Sequence, residues 1–371
     1  MRIAIIGAGL TGCTAARLMA DRGHQITMFE EQSRIGGLCA TGRLGPVDYC
    51  LHGPHVVHTD NASVKDFFLR FAQFNGYTHF KATFVDGQYL PYPVSYQTID
   101  RLPQREQIRF ELSVRPRELD TDNFEACVIS MMGPTLYEMF IRNYTQKLWG
   151  VAPRQLDAEW APRRIEIRTD NSQGYFGTEW QGLPVGGFSL MLQRMIEGIP
   201  VRLNCAIATF QEALDLNVDL VISTMPLDRL LSHRHGRLVY RGIRQEVAVE
   251  ESWPDDHFGD INFPNDQDYI RKTNYTLCSK APRTRGMVMG YEYPVAEGTM
   301  YPVLNAANKA RLQLYLDDLA RQERIVSMGR LGLFKYYNMS EIVAWCIRNS
   351  DALESFPGQT EAWRREFYRK A

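Results

Sequence analysis

An α/β fold built on a parallel sheet is predicted by three adjoining features at the start of the chain. A short apolar strand, "RIAII" at 2–6, runs into the turn "GAGLTG"; an alanine- and leucine-rich helix follows over Thr11–Arg22; a second strand, "HQITMFE", ends at Glu30. Gly7, Gly9 and Gly12 thus stand between strand and helix, with an acidic residue about 20 positions on, as a Rossmann-like dinucleotide-binding turn requires. Gly7 makes the bend, Gly9 lets backbone approach a pyrophosphate, and Gly12 lets helix and strand pack closely. Leu10 and Thr11 open the helix whose N-terminus would hold the phosphates, and Glu30 would accept from a ribose hydroxyl.

Composition sets the outer bounds. At 371 residues the chain is long enough for two or three domains, and 44% hydrophobic with 23% charged residues is ordinary for a globular protein. A net charge of −1 gives no general case for nucleic acid or an anionic membrane. No apolar run is long enough to span a bilayer, and the first residues lack a signal-peptide pattern. Seven scattered cysteines without a C-x-x-C favour neither a disulfide framework nor a zinc knuckle, which fits a cytoplasmic setting.

Further elements follow from periodicity and turn chemistry. Apolar residues at Val64, Phe67, Phe68 and Phe71 predict a helix from about Ala62 to Phe74. "ATFVDGQYLPYPV" reads as a hairpin turning at Asp86-Gly87. The stretch from about 97 to 150 reads as largely helical and ends in "YTQKLWG", and Ser189 is the expected cap of a helix through Ile196. Strand signals return at Pro200–Leu203, at "DLVISTMP" and at Ile325–Met328, before a final helix from about Ser340. Because these signals recur far apart, the domain expected is discontinuous: 1–75, 185–240 and 315–371 for dinucleotide binding. A helical domain at 97–165 with a mobile loop at 168–180, and an antiparallel-sheet domain at 76–96 and 241–314, complete the expectation.

The stretch "HGPHVVHTD" (52–60) holds three of the eight histidines within seven residues. Metal binding is the weakest reading, because no cysteine or second histidine cluster offers the remaining ligands. The acidic pair Glu30 and Glu31, followed by "RIGG" with Arg34, Gly37 and then Leu38, extends the fingerprint in the manner of flavoproteins. No second glycine fingerprint follows, so FAD is the cofactor expected.

Several separate motifs resemble the flavin-dependent UDP-galactopyranose mutases, from Arg2 to about Ile347. "GPHVVHT" resembles that family's histidine motif beside the flavin, "YTQKLWG" its nucleobase-binding helix end, and "GYF…WQGLP" its mobile-loop region. "MPLD" with "GRLVYR", "NF…YIRKT" and "GRLGLFKYYNM" resemble later landmarks. The resemblance implies that His55, His58 and Val56 lie against the flavin, the two histidines as catalytic groups that set its protonation and redox poise, with Ile207, Arg330, Tyr337, Asn338 and Met339 also on the cofactor. His52 lacks a counterpart and reads as structural. For the substrate it implies Arg168 and Arg271 as diphosphate-binding catalytic groups, with Arg241, Asn262, Tyr301 and Tyr336 beside them. Phe140, Tyr144, Thr145 and Trp149 would receive the base, and Trp180 would border the sugar. Arginine suits an anion of this kind because its planar fork pairs bidentately with phosphate.

What the resemblance implies chemically is isomerisation of a nucleotide-diphosphate sugar between pyranose and furanose forms, with N5 of reduced FAD as nucleophile at the anomeric carbon and NAD(P)H as a possible reductant. The partners expected are that sugar nucleotide and a second copy of the chain in a homodimer. Four departures stand out: Asn338 where bacterial members usually carry aspartate, Lys335 for arginine, Ile141 for one of two adjacent aromatics, and Trp180 for tyrosine or phenylalanine. Ile141 and Trp180 are expected to reshape the cavity, and Asn338 to alter electrostatics near the flavin. Two other classes stay open on sequence alone: a flavin oxidoreductase of the amine-oxidase type, and a non-catalytic dinucleotide-binding protein.

Overall fold

In the computed structural model, which describes residues 1–163, 165–283 and 286–370, β1 (Arg2–Ile6) is the middle strand of a five-stranded parallel sheet. Its order is Ile325–Ser327, Leu220–Ser223, β1, β2 (Gln25–Phe29), Val201–Arg202. Covered on both faces, these strands read as continuous apolar runs rather than alternating ones: Ile3, Ala4, Ile5 and Ile6 are all buried. The strands the sequence predicts at 200–203, in "DLVISTMP" and at 325–328 are thus edge and inner members of the β1 sheet.

Between β1 and β2 runs α1 (Leu10–Asp21). It packs on the strand because position 12 has no side chain: a Cβ on Gly12 would lie 2.0 Å from the Gly7 carbonyl oxygen. Helix Ala62–Leu69 stops short of the predicted Phe74, although Phe71 still packs on Phe67 at 5.3 Å. Ser189 does not cap its helix. That helix starts at Gly187 with Gly186 as N-cap, and the Ser189 hydroxyl accepts instead from the Thr41 N–H at 2.9 Å.

A second, seven-stranded sheet is antiparallel except at one pair. Its order is Tyr301–Pro302, Tyr240–Glu250, Met287–Val295, Arg271–Asn274, Asp260–Asn262, Lys81–Val85, Gln88–Tyr92. The hairpin at Asp86-Gly87 is its last pair, with Val85 opposite Gln88. The parallel pair sets Lys81 beside Asp260, and the adjoining ladder sets Asn262 beside Arg271 and Arg271 beside Glu292. These residues share one face of the sheet. The helical segment between 96 and 149 has its own core, including Phe124, Leu136, Tyr137, Phe140, Ile141 and Trp149, and contains a π-helical stretch at Tyr137–Arg142.

The expected boundary at 314/315 cuts through helix Ala306–Ala320. We propose the three-part division given above with that helix assigned whole to the dinucleotide unit, since Tyr315, Leu319 and Ala320 share the core of Ile325 and Val326. No described helix is long and apolar enough to cross a membrane.

Replacing Gly12 by alanine forces a methyl group against the Gly7 carbonyl, an overpacking that costs about 1–3 kcal/mol. A denaturant titration of G12A should show that loss; unchanged stability would mean that α1 can slide on β1.

Candidate active site

A cavity of about 810 Å³ starts where β1 ends. Gly7, Gly9, Leu10 and Thr11 line its middle, with Glu30, Glu31 and Arg34 toward the β2 end. Gly37, Leu38, His55, Ile207, Arg330, Tyr337, Asn338 and Met339 also line it. The first turn of α1 has no side-chain cap at Gly9 and carries no acidic residue, which leaves its N–H groups and positive end facing the cavity. Glu30 is buried, with its two carboxylate oxygens accepting from the Ala8 and Gln32 N–H groups at 2.7 and 2.9 Å. That bond ties the end of β2 to the phosphate turn. Glu31 pairs with Arg229 at 2.7 Å. Two predicted cofactor contacts fall elsewhere. Gly12 lies beneath the turn against Gly7, and Val56 packs on the Tyr77–Leu183–Cys278 cluster.

A smaller cavity of about 280 Å³ shares Asn338 with the first and adds His58, Arg168, Tyr175, Phe176, Tyr336 and Glu341. The two histidines of the predicted motif therefore face different chambers. His55 sits in the large cavity with Nδ1 2.8 Å from the Gly53 carbonyl. Burial, then the Arg330 charge, push its pKa down to about 4, so the ring is neutral near pH 7. Phe176 lies flat on the His58 ring at 3.7 Å, and strand Val57–Thr59 pairs with Trp180–Gly182. That pairing joins the histidine motif directly to the end of the 168–180 loop. His52, read as structural, lines the large cavity as well.

Arg271 is held through each of its guanidinium nitrogens, although neither it nor Asn262, Tyr144 or Tyr301 lines either cavity. Its Nε donates to Asn262 Oδ1 at 3.2 Å, Nη1 to Glu292 at 3.2 Å, and Nη2 to the Tyr144 hydroxyl at 2.7 Å. Nη1 also reaches Glu292 Oε2 at 3.4 Å, while Nη2 carries a second N–H beyond its bond to Tyr144. Asn262 and Tyr144 thus serve the site by orienting the guanidinium. Arg330 donates to the Tyr337 carbonyl at 3.0 Å and lies over the stacked rings of Tyr301 and Tyr336.

The four predicted arginines are not assembled as one cluster. Arg168 donates to Glu166 at 2.6 Å and to the carbonyls of Gly174 and Tyr175 at 2.8 Å, so in this loop position it fastens the loop to itself. Arg241 donates to the Leu148 carbonyl at 3.1 Å and packs under Gly150, in neither cavity. Phe140 and Thr145 are buried, and Trp149 is buried beside Tyr301 at 5.9 Å; none of the three lines either cavity. Trp180 packs on Phe74 at 4.9 Å and Ile141 lies in the helical core, so neither reshapes these chambers as expected. Asn338 lines both cavities and caps helix Met339–Arg348, its Oδ1 accepting from Glu341 N–H at 2.7 Å.

Beneath the small chamber lies a group that the sequence reading missed. Asp260 is almost fully buried, with Oδ2 3.4 Å from His79, 3.5 Å from Lys81 and 3.7 Å from Arg271. Burial opposes its ionisation, yet Lys81, His79 and Arg271 outweigh burial and hold the carboxyl below the ordinary range. Glu292 is also buried; burial pushes its pKa up while Arg271 pulls it down. A Cβ on Gly53 would sit 2.9 Å from Glu292 Oε2, at φ +83°, where a side chain is also strained. Only glycine lets the histidine loop rest on this carboxylate.

Sheet, glycine turn and paired chambers define a dinucleotide-binding fold with a second chamber beside the first. Residues 139–336, more than half the chain, match the family model described as GLF: UDP-galactopyranose mutase, and residues 5–71 match an NAD(P)-binding Rossmann-like domain. A probable UDP-galactopyranose mutase of Klebsiella pneumoniae is 29% identical, the match covering 97% of this chain and 96% of that one. A dTDP-fucopyranose mutase of Escherichia coli is 26% identical over 91% and 94%. The crystal structure of a reduced UDP-galactopyranose mutase shares the fold, with a TM-score of 0.79 and 21% identity over 98% of each chain. The chain belongs to the UDP-galactopyranose mutase family and is an isomerase of that family. A flavin is the cofactor this fold implies, and the large cavity fits it: its volume suits a large ligand, and its middle is a helix N-terminus.

Two outcomes follow. The His55 ring resists protonation in the folded state, so the unfolded chain binds its proton first as pH falls. Cofactor-free protein should therefore lose thermal stability from about pH 6.5 down to about 4, and His55→Gln should flatten that decline; an unchanged slope would remove the burial argument. Asn338→Ala should cost about 1 kcal/mol by thermal melting, whereas Asn338→Asp keeps the cap and should not.

Proposed function

We propose that this chain interconverts the pyranose and furanose forms of a nucleotide-diphosphate hexose, with reduced FAD in the large cavity and the sugar in the small one. UDP-galactopyranose and dTDP-fucopyranose are the two substrates to test first, being those named for its relatives. The observation that carries this reading is the meeting of the two cavities at Asn338, with His55 on the cofactor side and His58 on the other.

A reduced flavin held along the large cavity would supply nucleophilic chemistry toward the anomeric carbon. The chain's own residues do the rest. Gly9, Leu10 and Thr11 hold the cofactor's pyrophosphate at the α1 N-terminus, and Glu30 fixes the turn and faces the ribose. Arg271, aimed by Asn262, Glu292 and Tyr144, receives the negative charge of the leaving diphosphate without reorganising. The rings of Tyr301 and Tyr336 lie beneath the Arg330 guanidinium and carry hydroxyls able to donate to phosphate. Phe176 and Tyr175 exclude water from the small chamber, and Arg168 can turn from its loop carbonyls to substrate once the loop shifts. A neutral His55 adds no positive charge beside the ring system.

Incubating flavin-loaded, dithionite-reduced protein with each sugar nucleotide should yield a furanose product, and air-oxidised protein should yield none. Peroxide release from an amine with no furanose would place the chain with the oxidases instead. Arg271→Ala should lower kcat/KM about a hundredfold or more, because a buried charge pair loses one partner and the diphosphate loses its fork.

A further inference from the structure

Lys81 is a buried ammonium with an unusual set of neighbours. It lies on the first strand of the hairpin, 7% exposed, and its ion pair with Asp260 is long at 3.5 Å. The ring of Tyr175 covers its other side, with Nζ 4.3 Å from the ring centroid. Tyr175 belongs to the 168–180 loop. Its N–H donates to the His79 carbonyl at 2.6 Å, and Arg168 holds its own carbonyl from the far side. Arg271 shares the same Asp260 oxygen as Lys81. The two cations therefore stand around one carboxylate oxygen, within reach of a single diphosphate group.

An ammonium has three donors, and neither an aromatic face nor a long ion pair satisfies them well. Burial and the Arg271 charge lower the Lys81 pKa to about 8, against the pull of Asp260. An arriving anion would relieve both effects. Glycines flank the cover, with Gly174 before Tyr175 and Gly177 after Phe176.

We propose that Lys81 is a second phosphate-binding cation of the substrate site, held ready by Asp260 and covered by Tyr175 until the 168–180 loop moves. Lys81 joins Arg271 on the nucleotide diphosphate, and the tyrosine ring keeps its place when no substrate is bound. This rests on the function proposed above and adds a residue to that site.

The test is UDP and dTDP binding by titration calorimetry to flavin-loaded wild-type protein, Lys81→Met and Lys81→Arg. Lys81→Met should bind about tenfold or more weakly, with Lys81→Arg between it and the wild type. A second measurement does not depend on the variants folding. In wild-type protein, acetylation of Lys81 by an amine-reactive reagent, followed by peptide mass spectrometry, should slow about tenfold or more when UDP is saturating. Tyr175→Ala should speed it when UDP is absent. Equal affinity of Lys81→Met and wild type, or Lys81 labelling that UDP does not slow in a protein that binds UDP, overturns the assignment of Lys81 alone. Wild-type protein that binds neither nucleotide overturns the proposed function and this assignment with it.

Discussion

The site depends on one buried contact, the pairing of Arg271 with Glu292 directly beneath Gly53. Glu292 is nearly inaccessible to solvent, and its carboxylate touches the histidine loop on one side and the guanidinium on the other. Gln245 reinforces the junction by accepting from the Gly53 N–H at 2.6 Å. A buried ion pair repays its desolvation poorly as a source of stability, and removing one member typically costs about 3–5 kcal/mol. Its use here is geometric: it fixes where the antiparallel sheet meets the loop between the two chambers. The sheet face carrying Arg271 and the large cavity are thereby set in one register.

Charge balance follows from the same face. Asp260 and Glu292 set two acids against Lys81 and Arg271, with His79 alongside, so the buried group is close to neutral without a ligand. Under the proposed function, a diphosphate landing there would meet oriented donors rather than a large net field. Specificity then lies in geometry and in the loop, which brings Tyr175 and Phe176 against His79 and His58.

Much of the dinucleotide half was legible in the sequence, because its signals are local. The glycine turn, the strand–helix–strand at its start and the Asp86-Gly87 hairpin each announce themselves within a dozen residues. The late strands at 220–223 and 325–327 were legible as apolar runs between turns. Arg271, Asn262, Tyr301 and Arg330 were singled out through motif resemblance; of the four, Arg330 lines the large cavity, and the others line neither chamber. Tertiary contacts were not legible. Trp180 looked like a cavity wall, but the pairing of Thr59 with Trp180 turns its ring to Phe74. Asn338 looked like a lost charge and is a helix cap. Asp260 carried no signal at all, because its partners Lys81 and His79 lie about 180 residues away and meet it only through a parallel strand pair.

A crystal structure of the flavin-loaded, reduced protein with UDP tests the central claim most directly. The account predicts the diphosphate within hydrogen-bond distance of both Arg271 and Lys81, the flavin ring system along His55, and Glu292 still seated under Gly53. A diphosphate bound away from Arg271, or a flavin that leaves His55 uncovered, would contradict it.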